Sequence, residues 1–505
     1  MTQFCRHFLK SRSGAVILLL MSASTIASVV FAKETDDTAQ LRRLTVEHAV
    51  FLGLQNNPEL LVMSQNPIIA GAFEQLEHGQ YDPELFAELQ HSRQNTSEVS
   101  RSTGQQFDVE VKQTEGEAGI RQRTPVGTEV TAKLSSARND SSRTTVQYSS
   151  RLGLSVTQQL LRGFGMKSNL AGIHQAELET LASRHELTGF VETLVAEIET
   201  TYWKLVAAAE EIAVFEKSLD VAVAKLTDAR ERVAVGALPK NDIAQAEAEV
   251  ARRKQGLIDA QSEREAVRIK LVQLISPRAM KQQETVSAIA SIPVPEPIDV
   301  QLADSIALAT QIRPELQEAE ARLKKGTLEV SVTRNGVLPK LELFIDLGKT
   351  GYADSFGGSF SSIGNNTYDV TAGLRFSRHL GNRAAKAKQK IAVLERTSAE
   401  QSIENLRVTV EYDVRVAYAE LNRAYQQTQV TAESRTFSAQ SVASQQAKFD
   451  AGTAPALAVI QAERDLLESE IAEVKARVSY QIAKIQFFLA EGTLLQRRGI
   501  QIDNK

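Results

Sequence analysis

The chain has 505 residues, 42% hydrophobic and 24% charged, with a formal net charge of −4. That is ordinary globular composition with room for several domains. The acidic balance excludes a nucleic-acid partner, whose binding depends on clustered Lys and Arg.

At the N-terminus Arg6, Lys10 and Arg12 precede an apolar run over 15–20, and Val30-Phe31-Ala32 places small residues at −3 and −1. This pattern predicts a signal peptide over 1–32, cleaved after Ala32. Its loss removes three positive charges and moves the net charge from −4 to −7. The single cysteine, Cys5, goes with it, which leaves no thiol for a disulfide, zinc or nucleophilic catalysis. No later stretch approaches about 18 consecutive apolar residues, so a transmembrane helix is not expected and any membrane span must be built of strands.

The remainder contains itself twice. Residues 44–85 superpose without gaps on 300–341, placing Pro58-Glu59-Leu60 on Pro314-Glu315-Leu316 and Pro83 on Pro339. Residues 165–275 superpose in the same way on 381–491, placing Tyr202 on Tyr418, Gly236 on Gly452, Pro239 on Pro455 and Gln245-Ala246-Glu247 on Gln461-Ala462-Glu463. A unit of this length is too long for a solenoid repeat and predicts two homologous halves. The first structural repeat is 33–275, with a β segment over 84–160 and a helical hairpin over 165–275. The second is 300–491, with a β segment over 340–378 and a helical hairpin over 381–491. A connector over 276–299, carrying Pro277, Pro293, Pro295 and Pro297, separates them, and 492–505 is a C-terminal tail.

Each half predicts the same order of elements: a short helix (44–57; 300–313), a second opened by proline (58–80; 314–336), strands, a very long helix (165–235; 381–451), a tight break, and a shorter helix (239–275; 455–491). In the first long helix Val191, Ile198, Leu205, Ile212, Leu219, Leu226 and Val233 recur every seven residues, widened by Val195, Tyr202, Ala209 and Val223. A strict period of seven predicts supercoiling against neighbours. In the second, Val410, Val414, Ala417, Leu421, Ala424 and Tyr425 form a weaker stripe. A helix over 165–235 would be about 106 Å long, and the two shorter helices of each half, about 35 and 56 Å, nearly match it end to end. That matching predicts a tube of helices.

In the β segment of the second half, Tyr368, Val370, Ala372, Leu374 and Phe376 alternate with polar residues, and Leu341, Leu343, Ile345 and Leu347 alternate with Glu342, Phe344 and Asp346. Between them lies a Gly-, Ser- and Asn-rich loop over 351–366. This is the pattern of a transmembrane hairpin, and it places Tyr368, Val370, Leu374, Phe376, Leu341, Leu343 and Ile345 on a lipid face. The first half predicts equivalent strands at 85–93 and 152–160, with an inner pair at 107–113 and 126–134. Four to six strands cannot close a barrel, so several chains must share one.

These residues resemble the TolC-like outer membrane efflux proteins. The resemblance spans nearly the whole mature chain. It rests on the duplicated Asn57-Pro58-Glu59-Leu60 and Arg313-Pro314-Glu315-Leu316, on Leu160-Leu161-Arg162-Gly163-Phe164-Gly165 between strand and helix, and on the tips Val235-Gly236-Ala237-Leu238-Pro239 and Ala451-Gly452-Thr453-Ala454-Pro455. The fold it implies is mixed and mostly α: long antiparallel coiled-coil helices form an α-barrel tube joined to a transmembrane β-barrel segment, closed only in a trimer. The function it implies is that of an outer-membrane channel subunit with a periplasmic helical extension, serving a tripartite efflux pump or type I secretion system. Its partners would be two further copies, outer-membrane lipid, a periplasmic adaptor (membrane fusion) protein, and an inner-membrane pump or transporter. Docking on the adaptor would fall to the tips, at Gly236, Pro239, Gly452 and Pro455, and Asp242, Gln245, Phe449, Asp450 and Gln461 are the pore or gate candidates. Family trimers commonly close 12 strands, whereas six per chain here would give 18. Family members also often carry acidic residues shortly after the second tip glycine, where this chain has Ala456, Leu457, Ala458, Val459, Ile460 and Gln461.

Catalytic patterns are not evident. Arg162-Gly163-Phe164-Gly165-Met166-Lys167-Ser168 lacks the third glycine of a dinucleotide fingerprint and the Gly-Lys-Ser of a phosphate loop. No histidine pair has metal-ligand spacing, and neither a metal, a cofactor nor an enzymatic activity is expected. The competing expectation is a periplasmic structural coiled-coil or adaptor protein with a soluble β segment.

Overall fold

The computed structural model describes residues 43–275, 287–288 and 291–502. The expected signal segment 1–32 and most of the connector lie outside these residues. The helices are α1 (Val46–Asn56), α2 (Pro58–Met63), α3 (Gln65–His78), α4 (Ala171–Ala234), α5 (Asn241–Ile275), α6 (Leu302–Ile312), α7 (Pro314–Gly336), α8 (Phe356–Ser361), α9 (Arg383–Asp450) and α10 (Ala456–Glu491), with short turns elsewhere. The strands are β1 (Glu84–Val99), β2 (Gln106–Arg123), β3 (Thr128–Ser141), β4 (Thr144–Gln159), β5 (Lys340–Ala353) and β6 (Tyr368–Ser377). Among the described residues no helix is long and apolar enough to cross a membrane.

One expected helix is broken in two. The helix expected over 58–80 is interrupted at Ser64, and the cause is Pro67, which has no N–H to give to the Met63 carbonyl and whose ring crowds that carbonyl. The corresponding helix of the second half, α7, has no internal proline and runs unbroken for 23 residues.

The chain forms two compact units, and each draws on both halves of the sequence. One comprises the described residues up to Asn57, Ile198–Val294 and Thr431–Val478. Its core gathers Leu44, Ile198, Tyr202, Leu205, Leu271 and Ile275. The Tyr202 hydroxyl, fully buried, donates to the Leu44 carbonyl at 2.9 Å. Gly53 is needed where α1 meets this core, since a Cβ there would lie 2.3 Å from Ile198 Cδ1. Asn57 closes α1 and donates its side-chain amide to the Leu274 carbonyl at 3.1 Å.

The other unit comprises Pro58–Glu197, Pro295–Val430 and the chain from Ser479. It buries Val191, Val195, Leu316, Val410, Val414, Leu421 and Phe487, and the Ser305 hydroxyl donates to Glu491 at 2.8 Å. The sevenfold stripe of α4 is buried at Val191, Ile198, Leu205 and Ile212, together with Val195 and Tyr202. Ala209 and Val223 face outward instead. A straight helix drifts about 20° per heptad, so the companion positions rotate out of the seam.

The second unit also holds the sheet, which is antiparallel throughout, in the order β1-β2-β3-β4-β5-β6. The inner pair expected at 107–113 and 126–134 is present as β2 and β3, longer than expected, so the sheet has six strands. It is open, with β1 and β6 at its edges. Two hairpins share one register device. Phe86 pairs with Gly119 in β1–β2, and Phe344 with Gly373 in β5–β6. A Cβ on Gly119 would come within 2.8 Å of the Phe86 ring, and one on Gly373 within 2.6 Å of the Phe344 ring. Two residues on, Arg121 and Arg375 lie over these rings at 5.1 and 5.2 Å.

Candidate functional site

Strand alternation sorts the sheet into two chemically different faces. One row of paired residues runs Leu85, Ile120, Ala132, Leu154, Leu347 and Val370 across all six strands. The same face carries Leu89, Leu134, Leu152, Val156, Leu343, Leu374 and Phe376. It is open to the surroundings: Leu85 is 80% exposed, Leu374 66% and Phe376 62%. The residues expected on a lipid face are therefore on one face. Tyr368, Val370, Leu374 and Phe376 on the edge strand are well exposed, and Leu341, Leu343 and Ile345 are half-buried because β5 has a strand on either side.

The opposite face is polar and cross-linked. Lys133 pairs with Glu117 at 2.7 Å, and Arg151 pairs with Asp369. Glu342, nearly buried, is held by Lys340 at 2.6 Å, by Arg375 at 3.5 Å and by the Gln159 amide at 2.6 Å.

The loop expected over 351–366 is partly helical. Ser355 caps α8 by accepting from the Gly358 N–H. The helix rests on the apolar face just beyond the band: Ser359 and Ser150, both fully buried, share a hydroxyl hydrogen bond of 2.8 Å. Gly351 permits this approach, since a Cβ there would lie 2.1 Å from the Ser359 carbonyl oxygen. Phe356 and Phe360 remain exposed.

The two helical tips are built alike. Gly236 and Gly452 adopt φ of +77° and +72°, the left-handed region that glycine enters without a Cβ clash. Gly236 N–H bonds the Val233 carbonyl and Ala237 N–H the Arg232 carbonyl; Gly452 and Thr453 repeat this on Phe449 and Lys448. Both are Schellman closures, which satisfy the last carbonyls of α4 and α9. Pro455 immediately precedes α10, whereas Pro239 stands two residues before α5, not in its first turn. Val235, Gly236, Pro239, Gly452 and Pro455 are all exposed.

Of the gate candidates, the fold brings Asp242 and Phe449 together around a cavity of about 70 Å³ with Leu238, Ala246, Ala456, Val459 and Ile460. Asp450 accepts from the Gln446 amide at 3.1 Å. Gln245 and Gln461 are exposed on their helices and do not reach the cavity. Arg232 is the organising residue that sequence reasoning missed. It pairs with Asp228 at 2.9 Å, lies 3.9 Å from Asp450 and stacks over Phe449 at 5.4 Å. The signal was available, because Asp228 and Arg232 are four apart on one helix. Lys225 adds a second tie, to Gln446 at 3.1 Å and to Glu463. Farther from the tip, buried Glu249 binds Arg253 at 2.7 Å and Arg464 at 2.6 Å, joining α5 to α10. Among the described residues no group of acids, histidines and cysteines is arranged to hold a metal ion.

Residues 306–493 match the model of the outer membrane efflux protein family. The chain is 24% identical to the pyoverdine export outer membrane protein OpmQ of Pseudomonas putida over 318 residues, 62% of this chain and 64% of that protein, so the match spans just under two thirds of that relative. In fold it resembles the outer-membrane channel OprN, with a TM-score of 0.66, 18% identity and coverage of 88% and 89% of the two chains. It also resembles the Campylobacter jejuni CmeC outer membrane channel, with a TM-score of 0.65, 17% identity and coverage of 89% and 86%.

Proposed function

We propose that this chain, whose residues 306–493 match the model of the outer membrane efflux protein family, is one of three identical subunits of a passive export duct. The reading has the sheet in the outer membrane and the helices in the periplasm. The observation that carries it is the six-stranded sheet, with one exposed apolar face, one polar face and two open edges. Hydrocarbon offers no partner for the edge N–H and C=O groups, so such a sheet is stable in a bilayer only when other copies close it. Six strands are also fewer than the roughly eight of the smallest bacterial barrels.

The slant of the sheet fits this reading. The row through Glu84 runs by Arg121, Thr131, Ser155 and Asp346 to Thr371, and β6 continues six residues farther to Ser377. Taking Glu84 and Ser377, the ends nearest the helices, as one level, about 20 Å of strand offset accrues over about 24 Å of sheet. The resulting tilt is about 40°, within the usual range for membrane barrels. Three such sheets would make an 18-stranded barrel, wider than the 12 strands common in the family.

Two helical surfaces support a closed ring of copies. Leu61, Val62, Ile68, Ile69, Phe73 and Leu76 are exposed on α2 and α3, and Val408, Tyr412 and Val416 on α9. Different apolar patches on one chain suit head-to-tail contacts that close by rotation. The duct itself needs no catalytic chemistry or cofactor. Its exposed tips are where a periplasmic adaptor coupled to an inner-membrane transporter would dock, and a duplication of the two halves would account for two tips sharing one closure. Membrane fractionation tests the reading: the protein is expected to sediment with outer membranes and resist carbonate extraction. Recovery as a freely soluble periplasmic protein would instead favour a structural or adaptor role and overturn the duct.

A further inference from the structure

The apolar face of the sheet ends on a row of bases. Continuing outward from Leu89, the same face presents Arg93 on β1 and its paired neighbour Lys112 on β2. Four residues beyond Leu134 it presents Arg138 on β3, and two beyond Leu347 it presents Lys349 on β5. With the tilt of about 40°, a level line shifts by about one residue per strand, and on that line the four bases fall within about 6 Å of one height. Leu89, Leu134, Leu152, Leu347 and Val370 end the apolar band just below them.

These bases are accessible, the side chains of Arg93, Lys112 and Arg138 being 67%, 45% and 49% exposed. Three carboxylates lie beyond them on the same face, Glu110 and Asp140 next to the bases and Asp108 two residues farther out on β2. Glu110 is 2.5 Å from Arg93 and 3.2 Å from Lys112, and Asp140 is 3.4 Å from Arg138. Four cations against three anions, of which Asp108 stands farthest from the apolar band, leave a net positive surface. The aromatic residues mark the same height independently: Tyr148 and Tyr368 are on this face, and α8, docked through Ser150, adds exposed Phe356 and Phe360. Aromatic side chains collect where hydrocarbon meets headgroups.

We propose that Arg93, Lys112, Arg138 and Lys349 form a belt that binds the phosphate groups of lipid headgroups in the outer leaflet, fixing the depth of the barrel. Cations just above hydrocarbon meet lipid phosphates at short range and partly screened from water, where charge-assisted hydrogen bonds are strong. The proposal rests on the membrane reading of the sheet, so its test must separate the two.

The full-length assembly would be reconstituted into nanodiscs of a phosphorylated glycolipid and of the same glycolipid with its phosphates removed, and retained lipid would be counted by native mass spectrometry. The wild type is expected to enter both and to retain at least fivefold more of the phosphorylated form. The combined variant Arg93→Gln, Lys112→Gln, Arg138→Gln and Lys349→Gln is expected to enter both equally and lose that preference. The pair Glu110→Gln and Asp140→Gln, which removes only the two anions in contact with the bases, is expected to raise retention about twofold. A wild type without preference, a quadruple variant that keeps it, or an acid pair that lowers it would overturn the belt. Equal retention once free inorganic phosphate is added at matched concentration would assign the bases to a soluble anion, and also overturn it. A wild type that enters neither bilayer would instead remove the membrane reading beneath it.

Discussion

The two longest helices, α4 with 64 residues and α9 with 68, are nearly equal in length but spend their apolar residues differently. On α4 the large apolar side chains at 191, 195, 198, 202, 205 and 212 are buried within the chain. On α9, Val410, Val414, Leu421 and Ala424 are buried, but Val408, Tyr412, Val416, Val430 and Phe437 form a second set left open. The difference separates residues buried within the chain from an apolar set that, in the proposed trimer, would meet a neighbouring copy. Val408, Tyr412 and Val416, four residues apart, make an exposed apolar stripe on one side of the helix, of the kind an interface with another copy would cover.

Breaking that second set is expected to have the largest effect. Val408→Glu with Tyr412→Glu should abolish the oligomer, measured by light scattering, while circular dichroism shows the helices retained. Loss of helix content along with the oligomer would mean that these residues fold the subunit after all. The matching change on α4, Tyr202→Ala, should cost about 3–5 kcal/mol in chemical denaturation, because it empties a fully buried site. Tyr202→Phe should cost only about 1–3 kcal/mol, since it removes the hydroxyl donor and leaves the Leu44 carbonyl buried.

The helix ends sharpen the comparison, because there α4 and α9 are alike. Gly236→Leu or Gly452→Leu should each cost about 1–2 kcal/mol through left-handed strain. Made together, they should stop export while the trimer survives crosslinking. Unchanged export would remove the tips from adaptor docking.

The smallest effect concerns Glu192 on α4, pushed up to about 7 by burial and by nearby Glu315, against the opposing pull of Arg313. Between the ordinary carboxylate value and about 7 the folded chain keeps a proton that the unfolded chain has released. Stability should therefore fall as pH rises through that window. Glu192→Gln should flatten this slope in denaturation series at pH 5 and pH 8, and an unaltered slope would place its origin elsewhere.

Much of the fold was legible because its signals are periodic. Sevenfold spacing located the buried face of α4, and twofold alternation located β5, β6 and even the inner strands β2 and β3. What escaped were features set by one residue against a distant one. Pro67 broke a helix whose apolar pattern continued through it. Gly351 admits α8, yet in sequence it is one more glycine in a polar loop, and only the approach of Ser359 reveals its purpose. At the tips, glycine and proline were readable as local punctuation. For Arg232 only the pairing with Asp228, four residues before it, was local; its contacts with Phe449 and Asp450, over 200 positions away, were not.

If copies join as proposed, the paired Phe–Gly contacts would fix how. Sliding either hairpin by one residue would turn its polar side chains onto the apolar face, and the rings of Phe86 and Phe344 would then meet a neighbour that already has a side chain. Those hairpins contain β1 and β6, the strands with open edges. In the proposed trimer each subunit would thus carry its own vernier at both ends of the sheet, so the alignment of a seam would be decided before the partner arrives.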